Sequence, residues 1–447
     1  MVVLKFGGTS VQNAERMDAV LSIVENNLKN RAVLVSSATA KTTDRLIQAA
    51  RAAARGDDEN YQSILNVIIT HHYEIAHAFL SKDYLDKATD TLQKLFSELA
   101  DILKSLCEER HMSKKDLDYI QSFGERMSTF LLYYRALERG MDAFLADSRE
   151  YIKTDDNYGA AQVDYQTTER LLSSFIKKNN NKLIIMQGFI ASAVDGTTTT
   201  LGRGGSDFSA AIIGAAIGAD EIQIWTDVHG IMSADPRVVD NPRPIPAMSY
   251  QEAAELAYFG AKVVHPSTIQ PAVEKGIPVL VKNTMAPEKP GTTITSKSPS
   301  KGLKAITGKK HISLINIRSY RMLNAYGFLN KIFSVFAEHK TPVDLIATSE
   351  VSVSLTIDDN SNLGAITKEL SRIAKVDVEE DKSIVSLIGE DVWKSHETII
   401  KTFSALKGID VRMITMGSSH INLSFVVHKD KADEAVRRLH KTFFLDR

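Results

Sequence analysis

The chain opens on a continuous apolar run, Val2 to Phe6, interrupted only by Lys5 and closed by Gly7-Gly8. Apolar residues then recur at helical spacing (Ala14, Met17, Val20, Leu21, Val24, Leu28) before a second apolar run, Ala32 to Ser37. Two strands apolar on both faces with a helix between them predict a parallel βαβ unit buried on two sides. From Asp44 to about Gly140 the pattern is helical almost throughout, which predicts a helical insertion on the α/β layer. Buried-strand patterns return at Leu183 to Ser192, Glu221 to Val228 and Pro278 to Asn283. An apolar helix follows Thr197–Asp207, and another spans Tyr250 to Thr268. Strands alternating with helices predict a three-layer α/β/α domain with a mostly parallel sheet over 1–285.

The pattern changes at Ala286 to Gly302, where Pro, Gly, Ser, Thr and Lys dominate and a linker is expected. Beyond it the elements are short and repeat. SLINI, a helix from Phe328 to Glu338, VDLIAT, VSVSLTI, a helix from Leu363 to Ile373 and VDVEE make one β-α-β-β-α-β module. SIVSLIG, a helix from Ser395 to Ala405, VRMITM, INLSFVV and a helix from Lys431 to Thr442 begin the same order again. This second copy lacks a sixth strand, and Leu303 to Thr307, stranded before the first copy, would supply it. The expected modules are therefore about 311–380, and 303–307 plus 383–447, within a region 303–447.

Composition narrows the functional classes. Lys and Arg number 54 against 55 Asp and Glu, so no basic excess points to nucleic acid. The single cysteine, Cys107, excludes a disulfide framework and fits a reducing cytosol. No apolar run reaches membrane-spanning length and the N-terminus starts directly on a strand, so a soluble cytoplasmic protein is expected. His71, His72 and His77 lack the spacing of a metal site on one helix face and are expected to be polar helix residues.

Candidate chemistry gathers where strands end. Thr197 to Asp207 carries Gly202, Arg203, Gly204, Gly205, Ser206 and Asp207 ahead of the apolar helix, with Ser206 or Asp207 as N-cap candidates. Glycines let backbone N–H groups approach a ligand, and a helix N-terminus favours anions. Arg203 adds a forked cation suited to carboxylate or phosphate. By itself the stretch reads equally well as a tight turn before a core helix. Lys5 lies just before a Gly-Gly turn in a buried strand, where its ammonium must be paired, reach a ligand or snorkel. Glu125, after Gly124, is expected at the mouth of an apolar helix, favoured by the helix dipole. Lys262 and Asp227 complete a set of cations and carboxylates at the ends of strands, where open α/β sheets bind ligands. Cations and amides converging on one crevice suit phosphoryl transfer.

Five blocks, KFGGTSV, SFGERMST, TTTTLGRGGSD, IWTDVHGIMSADPRVV and FGAKVVHP, resemble in order and spacing the signature blocks of the aspartate kinases, and the C-terminal repeats resemble the paired ACT modules of that family. The resemblance covers essentially the whole chain. It implies an amino-acid-kinase domain followed by two ferredoxin-like ACT modules, in the monofunctional form with no homoserine dehydrogenase domain fused. It implies that ATP and Mg²⁺ serve the transfer of the γ-phosphate to the side-chain carboxylate of L-aspartate, the first step toward lysine, threonine and methionine. Lys5 with Gly7 and Gly8 would hold the transferred phosphate, Lys262 would assist at the nucleotide, and Asp207 would orient Lys5 or metal-bound waters. Thr226, Asp227, Met232, Asp235 and Arg237 would flank the nucleotide. Thr43 and Ser206 would sit at the substrate, with Glu125 on its ammonium and Arg203 on its α-carboxylate. No metal-ligand set is implied. Met232 stands where a tyrosine is common and His229 where a proline is common, both beside the adenine pocket.

The block Met322 to Phe333 with Thr341 to Leu355 is closest to lysine-sensitive members. There Gly327, Phe328 and Leu329 would cradle an effector carboxylate, and Asp344, with Ser349 nearby, would take an ammonium group. The alternative is a capping glycine and a solvated loop aspartate. Ala325 stands where a serine is frequent, which implies reduced lysine sensitivity. ACT sheet edges imply a homodimer or higher homo-oligomer. Competing readings are another amino-acid kinase, such as a glutamate 5-kinase or acetylglutamate kinase, and a catalytically silent ACT sensor of amino acids.

Overall fold

The computed structural model describes residues 1–27, 31–260, 266–298, 300–323, 326–417 and 419–446. They form two compact units, one of 1–231 and 263–296, the other of 232–262 and 297–447. The chain thus leaves the first unit at Ile231 and returns to it, where the sequence pattern predicts one uninterrupted domain. None of the described helices is long and apolar enough to cross a membrane.

The first unit runs β1 (Val2–Phe6), α1 (Ala14–Asn27), β2 (Ala32–Ser36), α2 (Thr42–Ala53), α3 (Asp58–Phe79), α4 (Lys82–Glu109), α5 (Lys114–Glu138), β3 (Ala143–Ala146), α6 (Ser148–Tyr151), β4 (Lys153–Thr154), α7 (Tyr165–Lys178), β5 (Leu183–Gln187), β6 (Ile190–Ala193), β7 (Thr198–Thr200), α8 (Gly205–Ile217) and β8 (Glu221–Thr226). After β9 (Ala247–Ser249) and α9 (Tyr250–Tyr258), which belong to the second unit, it resumes with α10 (Gln270–Lys275), β10 (Val279–Asn283) and β11 (Thr292–Thr295). Its main sheet has the order β3-β5-β2-β1-β8-β10-β11, with every neighbouring pair parallel except the antiparallel β10–β11. Every residue of β1, β2 and β5 is buried, as runs apolar on both faces require. The register sets Phe6 beside both Ser36 and Trp225, so β1, β2 and β8 end at one rim.

Three local differences from the sequence pattern have physical causes. The apolar run 183–192 is broken at Gly188-Phe189, where Phe189 takes φ 69°, and β6 pairs instead with β4 and β7. The expected linker 286–302 carries β11, whose Thr292 and Ile294 are buried against β10 in spite of a polar composition. His72, expected as a polar helix residue, is fully buried, its Nδ1 2.7 Å from the Ile68 carbonyl oxygen.

The second unit contains β12 (Ala305–Arg318), α11 (Phe328–Glu338), β13 (Ile346–Thr348), β14 (Ser352–Ile357), α12 (Leu363–Leu370), β15 (Lys375–Ile388), α13 (His396–Ala405), β16 (Val411–Met416), β17 (Asn422–His428) and α14 (Lys429–His440). Its sheet is antiparallel throughout, in the order β13-β14-β12-β15-β17-β16. β12 and β15 are each 14 residues long and serve both repeats. Ser313–Arg318 lie between β14 and the start of β15, while Ala305–Thr307 pair with Ser386–Ile388. The handover falls where His311 (φ 62°) and Asp381 (φ 59°) kink the two strands.

Each half of this sheet has its own core. Ile332, Phe336, Leu355 and Ile366 fill one. Leu387, Phe425, Val436 and Leu439 fill the other, and Ala234 and Val239, from the stretch after β8, are buried with them. That stretch is also hydrogen-bonded there: Ile306 N–H donates to the Ser233 carbonyl (2.8 Å), and Ser233 Oγ lies 2.8 Å from His440 Nε2.

Candidate active site

The rim of the parallel sheet in the first unit opens into a cleft of about 400 Å³. Its walls come from the end of β1, the turn from β2 into α2, the middle of α5 and the turn from β7 into α8. Lys5, Gly8, Thr43, Glu125, Arg203, Ser206 and Asp207 all line it. Residues from these separated positions meet there because parallel strands end on the same side and their connections loop over that side.

Lys5 is 8% exposed, and its Nζ lies 2.6 Å from Asp207 Oδ1. The pairing depends on how α8 begins. Neither Ser206 nor Asp207 is its N-cap, contrary to expectation. Gly204 is, at φ 72° and with no side-chain cap. A left-handed residue with no Cβ turns the chain sharply into the helix. The first-turn N–H groups therefore remain uncapped beside the cleft, and the Asp207 carboxylate is left for Lys5. Arg203, exposed between Gly202 and Gly204, reaches the cleft from the same turn.

Glu125 does not stand at a helix mouth. α5 starts earlier, at Lys114, behind a capping box formed by Ser113 and Asp116, and Glu125 sits mid-helix and 3% exposed. Gly124 explains how it reaches the cleft. A Cβ at that position would lie 2.7 Å from the Ala38 methyl, so only glycine lets α5 approach the turn after β2 so closely. The Ala38 N–H donates to Glu125 Oε1 (3.1 Å), and the Ser128 hydroxyl fastens the same helix to the Ser37 carbonyl (2.7 Å). Glu125 Oε2 is buried with no hydrogen-bond partner. Burial pushes the carboxyl up to about 8, against the Ala38 N–H and the Lys5 charge, which favour its ionised form. A buried acidic oxygen with nothing to bond is a ready acceptor for an incoming cation.

Sequence reasoning missed Lys41, which lines the cleft at the N-cap of α2 in a left-handed conformation, φ 65°. Nothing in its neighbourhood of Ala, Lys and Thr announces that geometry. It also missed Asp118, which is buried and accepts from Gly159 N–H, Thr200 N–H and the Thr200 hydroxyl, holding β7 against α5.

The expected nucleotide residues are divided. Thr226 ends β8 and Asp227 follows it, next to Trp225, whose carbonyl accepts from the Gly7 N–H after β1 (3.1 Å). The Thr226 hydroxyl donates to Asp227 Oδ1 (3.1 Å), and His229 Nδ1 lies 3.0 Å from Asn283 Nδ2. Neither Thr226 nor Asp227 lines the cleft. Met232, Asp235 and Arg237 belong to the second unit, where Arg237 and Asp235 form an exposed pair at 2.7 Å. Lys262 and Ala325 lie outside the described residues.

In the expected effector region, Gly327 is the left-handed N-cap of α11 (φ 75°), Phe328 is buried and Leu329 is exposed. Ser349 bonds Ser352 through both side chains (2.7 Å) and backbone. Asp344 is not a solvated loop residue. Only 2% of its side chain is exposed, and its Oδ1 accepts from Lys309 Nζ and from the Tyr258 hydroxyl, each at 2.6 Å.

Comparison with known proteins agrees with this geometry. The model of the amino acid kinase family matches residues 1–283, and an ACT domain model matches 385–443. Aspartokinase 3, chloroplastic, from Arabidopsis thaliana is 39% identical over 99% of this chain and 81% of its own. The chain belongs to the aspartokinases. The structure of Escherichia coli aspartokinase III in complex with aspartate and ADP (R-state) superposes with a TM-score of 0.85 at 35% identity, covering 99% of this chain and 100% of that one. The same enzyme with lysine and aspartate (T-state) gives 0.81 at 35% identity, covering 99% of both chains. This aspartokinase thus combines an amino-acid-kinase fold on a mostly parallel sheet with an antiparallel ACT region.

Proposed function

We propose that this aspartokinase transfers the γ-phosphate of ATP to the side-chain carboxylate of L-aspartate in the cleft at the rim of its parallel sheet, and that lysine restrains it through the ACT region. The observation that carries the aspartate reading is Glu125, whose buried, unpartnered Oε2 offers a seat for one ammonium group. Arg203, which lines the same cleft, suits the α-carboxylate. A site built for both charges rejects ligands lacking either, because its own charges would stay unpaired. Thr43 and Ser206 line the same cleft and complete the substrate contacts.

The nucleophile is itself a carboxylate, ionised at neutral pH with a pKa near ~3.9, so no general base is required. The obstacle is repulsion between two anions. Lys5, the Gly7-Gly8 turn and the N-terminal amides of α8 offset it, and these preorganised donors act on charge as it moves toward the ADP oxygen. Asp207 holds the Lys5 ammonium in place. Lys262, Thr226, Asp227, Met232, Asp235 and Arg237 are assigned to the nucleotide. Among the described residues no group of three or more His, Cys, Asp or Glu is arranged to hold a metal. A nucleotide-borne Mg²⁺, which keeps several waters and needs only one or two carboxylates, would find in Asp207 a carboxylate that lines the cleft. When bound it supplies further neutralisation of the phosphates.

Gly327 and the amides of Phe328 and Leu329 are assigned to the effector carboxylate, Asp344 to its ammonium and Ser349 to the same pocket. The edge strands β13 and β16 expose Ile346, Ile414 and Met416, which supports self-association through the ACT sheet. The reaction is tested by aspartate-dependent ADP formation with hydroxylamine trapping of the acyl phosphate, with and without lysine. Trapping with glutamate but not aspartate would overturn the substrate assignment.

A further inference from the structure

The ammonium that Asp344 is expected to receive from an effector is already present, and it comes from this chain. Lys309, on β12, places its Nζ 2.6 Å from Asp344 Oδ1 and 2.8 Å from Asp358 Oδ2. The Tyr258 ring covers the same ammonium at 4.5 Å, and its hydroxyl donates to the same Asp344 oxygen at 2.6 Å. With 2% of its side chain exposed, Asp344 can accept an external ammonium only after Lys309 and Tyr258 move aside. Its second oxygen, Oδ2, is buried with no hydrogen-bond partner. The aspartate is therefore enclosed but not saturated.

We propose that Lys309 is a tethered competitor for the effector, and that an amino acid with a terminal ammonium gains Asp344 by displacing it, which releases Tyr258 and the end of α9. The inference rests on the regulatory reading of Asp344 given above.

Two features make the exchange feasible. Asp358 is 39% exposed and gives the displaced Lys309 ammonium a second carboxylate, so the exchange strands no buried cation. The exchange is also like for like, since one primary ammonium replaces another on the same oxygen, and the equilibrium depends on effector concentration and on the tether. The consequence lies in Tyr258. It is the last residue of α9, four residues before Lys262, and the adjoining Phe259 carbonyl accepts from the Thr307 hydroxyl of β12 (2.9 Å). Burial and the Asp344 charge hold the Tyr258 phenol well above its ordinary range, so it stays a donor at any physiological pH. Because the ring must leave Asp344 before an external ammonium can enter, the exchange removes one of the hydrogen bonds that hold the last turn of α9 to the ACT region, leaving those of Phe259 with Thr307 and of Glu255 with Asn422.

The test uses the full chain, isothermal calorimetry with L-lysine, and lysine inhibition of aspartate-dependent ADP formation. Lys309→Gln keeps a neutral hydrogen-bond donor for Asp344 but removes the competing charge. It is expected to bind lysine about tenfold or more tightly than wild type, within the usual range of coupling between sites. Lys309→Arg, which keeps the cation, should bind as wild type does or more weakly. Tyr258→Phe should bind lysine yet lose most of the inhibition. Thermal melting checks that each variant is folded, and should Lys309→Gln not fold, Lys309→Met, which removes the charge and keeps the length of the side chain, takes its place with the same expectation. Unchanged or weaker lysine binding by a folded Lys309→Gln overturns the competitor, and full inhibition of Tyr258→Phe overturns the release. Lysine binding by neither wild type nor Lys309→Gln overturns the effector reading and the competitor with it, whereas binding by Lys309→Gln alone upholds both.

Discussion

Glu125 supplies the sharpest prediction, because if it takes the ammonium of aspartate as proposed, its burial makes substrate capture a proton-linked event. Without ligand its carboxyl is held up to about 8, so at pH 7 most of the enzyme carries it protonated. An ammonium placed on Oε2 requires the ionised form, hence aspartate binding must release a proton. Below about pH 8 each unit of acidification costs ~1.4 kcal/mol of binding, a factor of ten. The KM for aspartate is therefore expected to fall about tenfold between pH 6 and 7 and to level off above pH 8. The substrate's own side chain, with a pKa near ~3.9, does not titrate in that window. Calorimetry in buffers of different ionisation enthalpy should record close to one proton released per aspartate bound at pH 7, and the KM for ATP should stay flat. Glu125→Gln should raise the aspartate KM strongly and abolish its pH dependence.

Unfolding provides an independent check on Glu125. In the unliganded fold it keeps its proton over the interval from 4.5 to about 8, in which the unfolded chain has lost it. Its contribution to stability is thus complete below pH 4.5 and declines as pH rises through 8, by roughly 4–5 kcal/mol in all. The Gln variant lacks that decline, so its stability relative to wild type should grow from pH 5 to pH 8. An aspartate KM that is flat from pH 6 to 8 in the wild type, or equal pH profiles for the two proteins, would refute the assignment.

Three further outcomes follow from the same geometry. Lys5→Ala removes a preorganised cation and leaves Asp207 without its partner, so kcat should fall about 10²–10³-fold with a smaller change in substrate affinity; turnover within about tenfold of wild type would count against that role. Gly124→Ala drives a methyl to 2.7 Å from the Ala38 methyl and should push α5 off the turn after β2, raising the aspartate KM more than the ATP KM; steady-state kinetics that match wild type would show the close approach to be dispensable. His72, fully buried and lowered by burial to about 4, stays neutral where the unfolded histidine gains a proton. Its contribution is intact above pH 6.5 and is lost as pH falls through 4, by about 3 kcal/mol, and denaturant titrations of His72→Gln should show a shallower acid limb than wild type.

The sequence by itself determined the elements whose burial is two-sided and the turns whose glycines permit one geometry. Continuous apolar runs have no polar face to expose, so VVLKF, AVLVS and LIIMQ could only be central strands of a covered sheet. The same logic made Lys5 conspicuous, since a buried ammonium demands a partner. The repeat after residue 302 was legible as alternating short strands and helices, including the stray LKAIT run whose Ala305–Thr307 pair with Ser386–Ile388.

Tertiary structure alone decided the rest, because it concerns which side chains approach across long separations. Glu125 looked like a helix-mouth carboxylate; only the contact of α5 with the turn after β2 buried it and left one oxygen free. Asp344 looked solvated until β12 brought Lys309 to it and α9 brought Tyr258. The polar Thr292–Thr295 became a strand because β10 offered it an edge, and Lys41 took a left-handed turn that no neighbouring residue announces. Periodicity reports which face of an element avoids water. It carries no record of the partner on that face, and partner identity is what sets charge, protonation and function here.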